Sequence, residues 1–148
     1  MTVLGIDYGE KRIGLSWGDE LGLAVPLPAA VERTESARLR HIMQVLESRK
    51  VERIVVGMPY NMDGSLGFKA KEAGQFMARL RKLTQLPVVA VDERLTTHQA
   101  EENFKSRKRK WDRKSGEIDS HAATLILQDY LDLSLGQTLL RPHEDFPG

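Results

Sequence analysis

The chain contains no cysteine and no uninterrupted apolar stretch long enough to span a bilayer. The first absence excludes a disulfide framework and a thiolate metal site. The second argues against a membrane-spanning helix, which needs about 20 apolar residues. An excess of one charge is lacking too, because 22 basic and 21 acidic side chains leave a formal net charge of +1. Any affinity for nucleic acid therefore has to come from a local concentration of basic residues.

Glycine motifs that bind nucleotide phosphates are also missing. The sequence has neither a Gly-x-x-x-x-Gly-Lys-Ser/Thr segment nor a Gly-x-Gly-x-x-Gly run, so P-loop and dinucleotide-binding functions lack support. A length of 148 residues suits one domain with a real core. We expect a single domain over 1–138 and a C-terminal tail over 139–148. Because a predicted strand begins at the N-terminus, we expect no signal peptide and a cytoplasmic protein.

Hydrophobic periodicity predicts the secondary structure. Apolar runs indicate strands over 2–7, 13–17, 24–31, 53–57 and 88–91. Pro26 and Pro28 make the third an edge or irregular strand, because proline cannot donate to a ladder. Apolar residues at helical spacing predict helices over 35–50, 69–83 and 118–133. This pattern puts Met43 and Leu83 on core-facing stripes and Arg38 on a polar face. The order βββαβαβα indicates an α/β fold with a mixed sheet and helices on its faces.

Carboxylates stand where predicted strands end and where the last helix begins. Asp7 closes the first strand, Asp92 and Glu93 close the last, and Asp119 lies in the first turn of the final helix. Ligands of open α/β sheets gather outside the carboxyl ends of the strands, so these acids can converge. Asp92 and Glu93 cannot both face one site, because neighbouring side chains of a regular strand point to opposite faces. The sequence does not decide between them, and we favour Glu93.

Such acids predict a divalent-metal site. Crowded carboxylates repel one another unless a cation neutralises them, and hard oxygen ligands without cysteine suit Mg²⁺ or Mn²⁺. Two such ions about 4 Å apart can stabilise the attacking and leaving oxygens of phosphodiester cleavage. The alternative to a metal site is a structural role for these acids. Asp92 would then stabilise a turn, and Asp119 would lie at a helix N-terminus, where the helix dipole stabilises a carboxylate.

Basic residues are concentrated in the segment 105–114, which has seven bases and one acid. This segment suits a phosphate backbone, and its tryptophan could stack on an unpaired base. Smaller candidate contacts lie on the first hairpin, after the fourth strand and beside Glu93. The residues predicted to bind nucleic acid are Lys11, Arg12, Asn61, Arg94, Lys108, Arg109, Lys110, Trp111 and Lys114.

Four segments together resemble the signature blocks of the YqgF (RuvX) family. They are GIDYGEKRIG at 5–14, VGMPYNMDG at 56–64, DERLTT at 92–97, and the set Lys114, Asp119, Ala122 and Ala123. The resemblance implies a bacterial source, an RNase H-like fold and a metal-dependent nuclease site at Asp7, Glu93 and Asp119. It also implies processing of the 5′ end of pre-16S rRNA during ribosome biogenesis, with Holliday junction cleavage as the alternative.

One position departs from the related RuvC resolvases, which carry two acids near the start of the last helix. Here the second acid is absent, and His121 is displaced by about 200° around the helix from Asp119. A site of three carboxylates binds a second metal less well, so this departure argues more against junction cleavage than against the fold.

Two other functions fit parts of the sequence. A non-catalytic maturation factor would bind RNA or ribosomal particles chiefly through the basic segment. An ATP-binding protein would use the Gly-Ile-Asp-x-Gly turn, which resembles the first phosphate loop of actin-like kinases. Those kinases clasp ATP between two lobes, and this chain supplies only one. RNA or DNA as substrate, and a monomer or a homodimer, both stay open.

Overall fold

The computed structural model describes residues 1–95 and 115–139. Its strands are β1 (Val3–Asp7), β2 (Ile13–Gly18), β3 (Val25–Ala30), β4 (Arg53–Met58) and β5 (Val88–Asp92). Its helices are α1 (Glu35–Ser48), α2 (Phe68–Thr84) and α3 (Glu117–Leu139), with a short 3₁₀ turn at Glu93–Leu95. The predicted order βββαβαβα is confirmed.

The strands form one mixed sheet in the order β3-β2-β1-β4-β5. The first three make an antiparallel meander, and β4 and β5 run parallel to β1. As predicted, β3 is an edge strand and is irregular: Ile13 pairs with Ala30 but Leu15 with Leu27. Pro28 lies within this shift in register, where its missing N–H breaks no regular ladder bond.

Helices cover both faces of the sheet, as the predicted fold class requires. Along β1, Leu4 and Ile6 belong to the larger core, which includes residues of α1 and α2. Val3 points the other way and joins a smaller core with Ile126 and Leu127 of α3. The alternation of side chains along β1 therefore separates an α1/α2 face from an α3 face. In the described part of the chain, no helix combines the length and apolarity needed to cross a membrane.

Three side chains of α1 and α2 differ from their predicted positions. Met43 is 36% exposed because it lies at the margin of the apolar stripe of α1. Leu83 is 54% exposed because it lies in the last turn of α2. The polar-face assignment of Arg38 is wrong, since this side chain is buried. Its guanidinium donates to the carbonyls of Glu32 (2.7 Å) and Glu10 (2.8 Å). These bonds offset its burial and tie α1 to the loop between β1 and β2.

Candidate active site

Glycines on the α3 face of the sheet let this helix lie directly on the strands. A Cβ added to Gly5 would come within 3.1 Å of the Ala123 carbonyl oxygen. A Cβ on Gly14 would overlap the backbone carbonyl of Asp119 and lie 2.7 Å from the amide nitrogen of Ser120. The helix residues predicted to permit this close approach are both buried: Ala122 and Ala123.

Buried hydrogen bonds then fix how α3 is rotated on the sheet. The amide of Leu15 donates to Ser120 Oγ at 3.2 Å, and Ser16 Oγ donates to the Ala123 carbonyl at 2.8 Å. Both bonds join β2 to the first two turns of the helix. Because Asp119 precedes Ser120 directly, these contacts also determine where its carboxylate points.

Asp7 projects from the same face of the sheet. It is the last residue of β1 and shares the α3 side with Val3 and Gly5, two and four positions earlier. It pairs with Gly14 in the antiparallel ladder, the glycine that contacts Asp119. Asp7 at the end of β1 and Asp119 at the start of α3 therefore lie at the same end of the sheet.

Glu93 reaches this face from the 3₁₀ turn after β5. Val91, two residues earlier, belongs to the α3-side core. A Cβ on Gly57 of β4 would lie 2.5 Å from Ile126 of α3 and 3.1 Å from Glu93 Cδ. The Glu93 side chain therefore lies over Gly57, in space that only a glycine leaves open.

Asp92 has a different role in the structure. It accepts bonds from Arg94 Nε at 3.0 Å, Arg94 Nη2 at 2.7 Å and the Arg94 amide at 3.0 Å. The hydrogen bonds from the Arg94 side chain lower the pKa of Asp92, and the same pair raises the pKa of Arg94. Arg94 also donates to the Met62 carbonyl at 3.2 Å and lies 5.5 Å from the Tyr60 ring centroid. It thus joins the turn carrying Glu93 to the loop between β4 and α2.

All three predicted ligand residues line one cavity of about 580 Å³. It opens at the carboxyl ends of β1 and β4, where ligands of α/β sheets gather. Its other charged and aromatic lining residues are Tyr8, Glu10, Lys11, Arg12, Phe68, Lys69 and Glu72. The structure therefore brings together Asp7, Glu93, Asp119 and two of the predicted substrate contacts.

Arg12 supplies positive charge inside this cavity. Its Nε lies 3.2 Å from Asp119 Oδ2, and both side chains are about one-third exposed. Across residues 1–95 and 115–139, no three acidic or histidine side chains are gathered closely enough to hold a metal as they stand. The donor set still suits Mg²⁺ or Mn²⁺, because three hard oxygen ligands from separate elements face one polar space. A bound ion would have to draw the carboxylates closer and compete with Arg12 for Asp119.

Sequence reasoning missed the wall of the cavity that α2 provides. Phe68, Lys69 and Glu72 all lie at the start of this helix, after the loop that follows β4. Partial desolvation, a hydrogen bond to Glu10 and the charge of Glu10 raise the pKa of Glu72, although Lys69 opposes the shift. The sequence signal that could have identified these residues is their place after the carboxyl end of β4, where ligands of α/β sheets gather.

Other predicted residues lie elsewhere. Asn61 donates from Nδ2 to Ser65 Oγ at 3.0 Å and stabilises the turn that contains both residues. His121, which was not predicted as a ligand, lines a separate cavity of about 380 Å³ between β3 and α3. The remaining predicted contacts fall outside the described residues: Lys108, Arg109, Lys110, Trp111 and Lys114.

The fold defines the class of protein: a mixed sheet with helices on both faces, in an RNase H-like α/β arrangement. RuvC of T. thermophilus, solved with a Holliday junction substrate, superimposes with a TM-score of 0.58 over 92% of this chain and 96% of RuvC. A second RuvC structure from Thermus thermophilus gives a TM-score of 0.52. The identities of 19% and 18% make this a likeness of fold alone.

Sequence comparison identifies the family. The model described as "RuvX: Holliday junction resolvase" matches residues 1–133. A relative from Opitutus terrae is 50% identical over 145 residues, covering 97% of this chain and 100% of the relative. Another from Synechococcus elongatus is 46% identical, covering 88% and 89%. Both are named as pre-16S rRNA nucleases. The chain therefore belongs to the RuvX (YqgF) family, and it is a nuclease, a hydrolase of phosphodiester bonds.

Proposed function

We propose that this nuclease depends on Mg²⁺ or Mn²⁺ and processes the 5′ end of pre-16S rRNA during ribosome biogenesis. The observation that carries the proposal is the convergence of Asp7, Glu93 and Asp119 on one cavity whose lining also holds basic side chains. The names of the relatives from Opitutus terrae and Synechococcus elongatus support the choice of substrate. The proposed setting is the cytoplasm, on free precursor RNA or on ribosomal particles.

The three carboxylates would hold the metal, each from a different element. Asp7 is fixed by the central strand β1, Glu93 by the turn after β5, and Asp119 by the hydrogen-bonded start of α3. When bound, the metal supplies an activated water and neutralises charge that develops on the phosphate. The backbone fixes the element that carries each acid, so only the side chains would have to move to close around the ion.

Basic residues of the cavity would orient the substrate. Lys11 and Arg12 both line it, and Arg12 neutralises Asp119. In the proposed complex the Arg12 guanidinium binds a phosphate oxygen next to the scissile bond, since a guanidinium fork matches phosphate geometry. The basic segment 105–114 lies just before α3 in sequence, and we propose that it binds the flanking backbone.

The test is cleavage of an RNA that carries the 5′ extension of 16S rRNA, with Mg²⁺, with Mn²⁺ and with a chelator. Asp7→Asn should lower the rate by about 10²- to 10³-fold, because it removes a charged ligand from the site. Asp19→Asn is the matched control, since Asp19 accepts the Leu21 amide in the turn after β2, at the opposite end of that strand from Gly14. If the wild type cleaves equally well with the chelator, or if the two variants lose activity equally, the proposed site is wrong.

Holliday junction cleavage is the second candidate activity, and the description of the matching family model favours it. A four-way DNA junction and the precursor RNA can be compared under identical conditions. Faster cleavage of the junction would make DNA the substrate. Sedimentation in the same buffer would show whether the active form is the dimer that a two-fold junction requires.

A non-catalytic role in maturation makes the opposite prediction in cells. If binding alone suffices, Asp7→Asn should complement a deletion strain while alanine at Lys108, Arg109 and Lys110 should not. Our proposal expects both variants to fail. Complementation by Asp7→Asn would assign the protein to RNA binding.

A further inference from the structure

Phe68 is an aromatic side chain that the core does not use. It is the first residue of α2, and 74% of its surface is exposed. Two turns further along the helix, Phe76 is fully buried and stacks on Tyr8 with ring centroids 4.4 Å apart. The contrast shows that α2 anchors itself through Phe76, whereas Phe68 contributes little to packing.

The Phe68 ring lines the cavity that contains the three acids. Lys69 follows it in sequence and lines the same wall, with Lys11 contributed by the loop between β1 and β2. The cavity beside the exposed ring therefore carries basic side chains as well as the acids Glu10 and Glu72. Proteins that bind single-stranded nucleic acid combine these features: bases stack on aromatic rings while basic groups contact the phosphates.

We infer that Phe68 is a stacking platform for an unpaired nucleobase close to the scissile phosphate. A base inside a duplex has both faces covered by its neighbours, so it cannot offer one to Phe68. The substrate at this position is thus single-stranded, as in an RNA extension or the opened end of a helix. This inference rests on the proposed function for the nature of the ligand, and it adds the class of substrate that the site accepts.

The test measures stacking without cleavage. A set of single-stranded RNA 12-mers carries 2-aminopurine at each position in turn, and its fluorescence is followed as protein is added in a chelator. Wild type should quench the probe at one or two positions and should leave the fully paired duplex unquenched. Phe68→Ala should abolish that quenching and weaken binding by about 5- to 150-fold, the usual range for one base–aromatic stack.

Three further variants separate stacking from apolar bulk and from general damage. Phe68→Trp should retain quenching, whereas Phe68→Leu should lose it, because leucine has no π face. Leu83→Ala is the matched control, an exposed apolar residue in the last turn of the same helix, and should behave as wild type. Quenching by Phe68→Ala or Phe68→Leu equal to that of wild type would overturn the inference.

Cleavage in Mn²⁺ distinguishes this inference from the proposed function. Position-specific quenching without cleavage in any metal would refute the proposed metal-dependent processing of RNA and leave the stacking inference intact. If Phe68→Ala cleaves single-stranded RNA as fast as the wild type does, the stacking inference is refuted and the proposed cleavage stands.

Discussion

Replacing Gly14 by alanine should separate α3 from the sheet and displace Asp119. The added Cβ would overlap the Asp119 carbonyl and lie 2.7 Å from the Ser120 amide nitrogen, whereas ordinary contacts begin at 3.4 Å. The start of the helix must therefore retreat by at least roughly 0.7 Å, and both obstacles are backbone atoms that no rotamer change can move.

Overpacking of this kind costs about 1–3 kcal/mol of unfolding free energy. For a chain of this length, each kcal/mol lowers Tm by about 2–4 °C. The effect on catalysis should be larger, because misplacement of a catalytic group by about 1 Å can cost 10²-fold in rate. We therefore expect Gly14→Ala to fold at 25 °C with a reduced Tm and to cleave RNA about 100-fold more slowly.

Gly74→Ala provides the matched control. Gly74 lies inside α2, and its added Cβ would meet only Met58 Cε at an ordinary 3.7 Å. Alanine in a helix interior is favoured over glycine by about 0.5–1 kcal/mol, so this variant should be more stable and fully active. Urea denaturation and single-turnover cleavage of both variants make the comparison. If Gly14→Ala matches Gly74→Ala in stability and rate, the close contact between β2 and α3 does not position the site.

Further substitutions test the supports of the site. Arg94→Lys should lower kcat by about 10- to 100-fold with little change in KM, because lysine cannot hold Asp92 and the turn carrying Glu93 through a planar fork; a change in KM alone would contradict this. Ser120→Ala should cost about 1–3 kcal/mol in urea denaturation, because it leaves a buried backbone amide without its acceptor, and an unchanged midpoint would be inconsistent with that bond. Glu72→Gln should stabilise the protein at neutral pH, since a raised carboxyl pKa in the folded state means that ionisation destabilises folding. That advantage should fade as the pH falls from the raised pKa of folded Glu72 to the ordinary glutamate pKa, and a pH-independent difference would contradict the raised pKa.

The strands, the helices and their order follow from apolar periodicity because local pattern and tertiary packing agree for each element, although Met43, Leu83 and Arg38 depart from it individually. Even the irregularity of β3 follows from Pro26 and Pro28, whose chemistry restricts them to an edge. Whether Asp92 or Glu93 faces the cavity could not be derived in this way. That orientation depends on which face α3 covers, and it becomes clear only when Val91 packs in the α3-side core.

Long-range contacts account for what the sequence did not reveal. Arg38 reads as a surface residue because the carbonyl of Glu10, which accepts one of its bonds, is 28 positions away in the chain. Phe68 precedes the predicted start of α2, and an apolar residue next to a helix gives no sign that it will stay exposed. Arg94 is predicted from the sequence to contact nucleic acid; in the structure its guanidinium pairs with Asp92 and donates to the Met62 carbonyl, 32 positions away in the chain.

The central claim is that Asp7, Glu93 and Asp119 hold the catalytic metal. Crystals soaked in Mn²⁺ and measured for anomalous scattering test it most directly. We predict a peak in the cavity of about 580 Å³, within about 2.0–2.3 Å of carboxylate oxygens from Asp7 and at least one of the other two acids. A fully soaked crystal with its Mn²⁺ peak at Asp92, or with no peak in this cavity, would contradict the account.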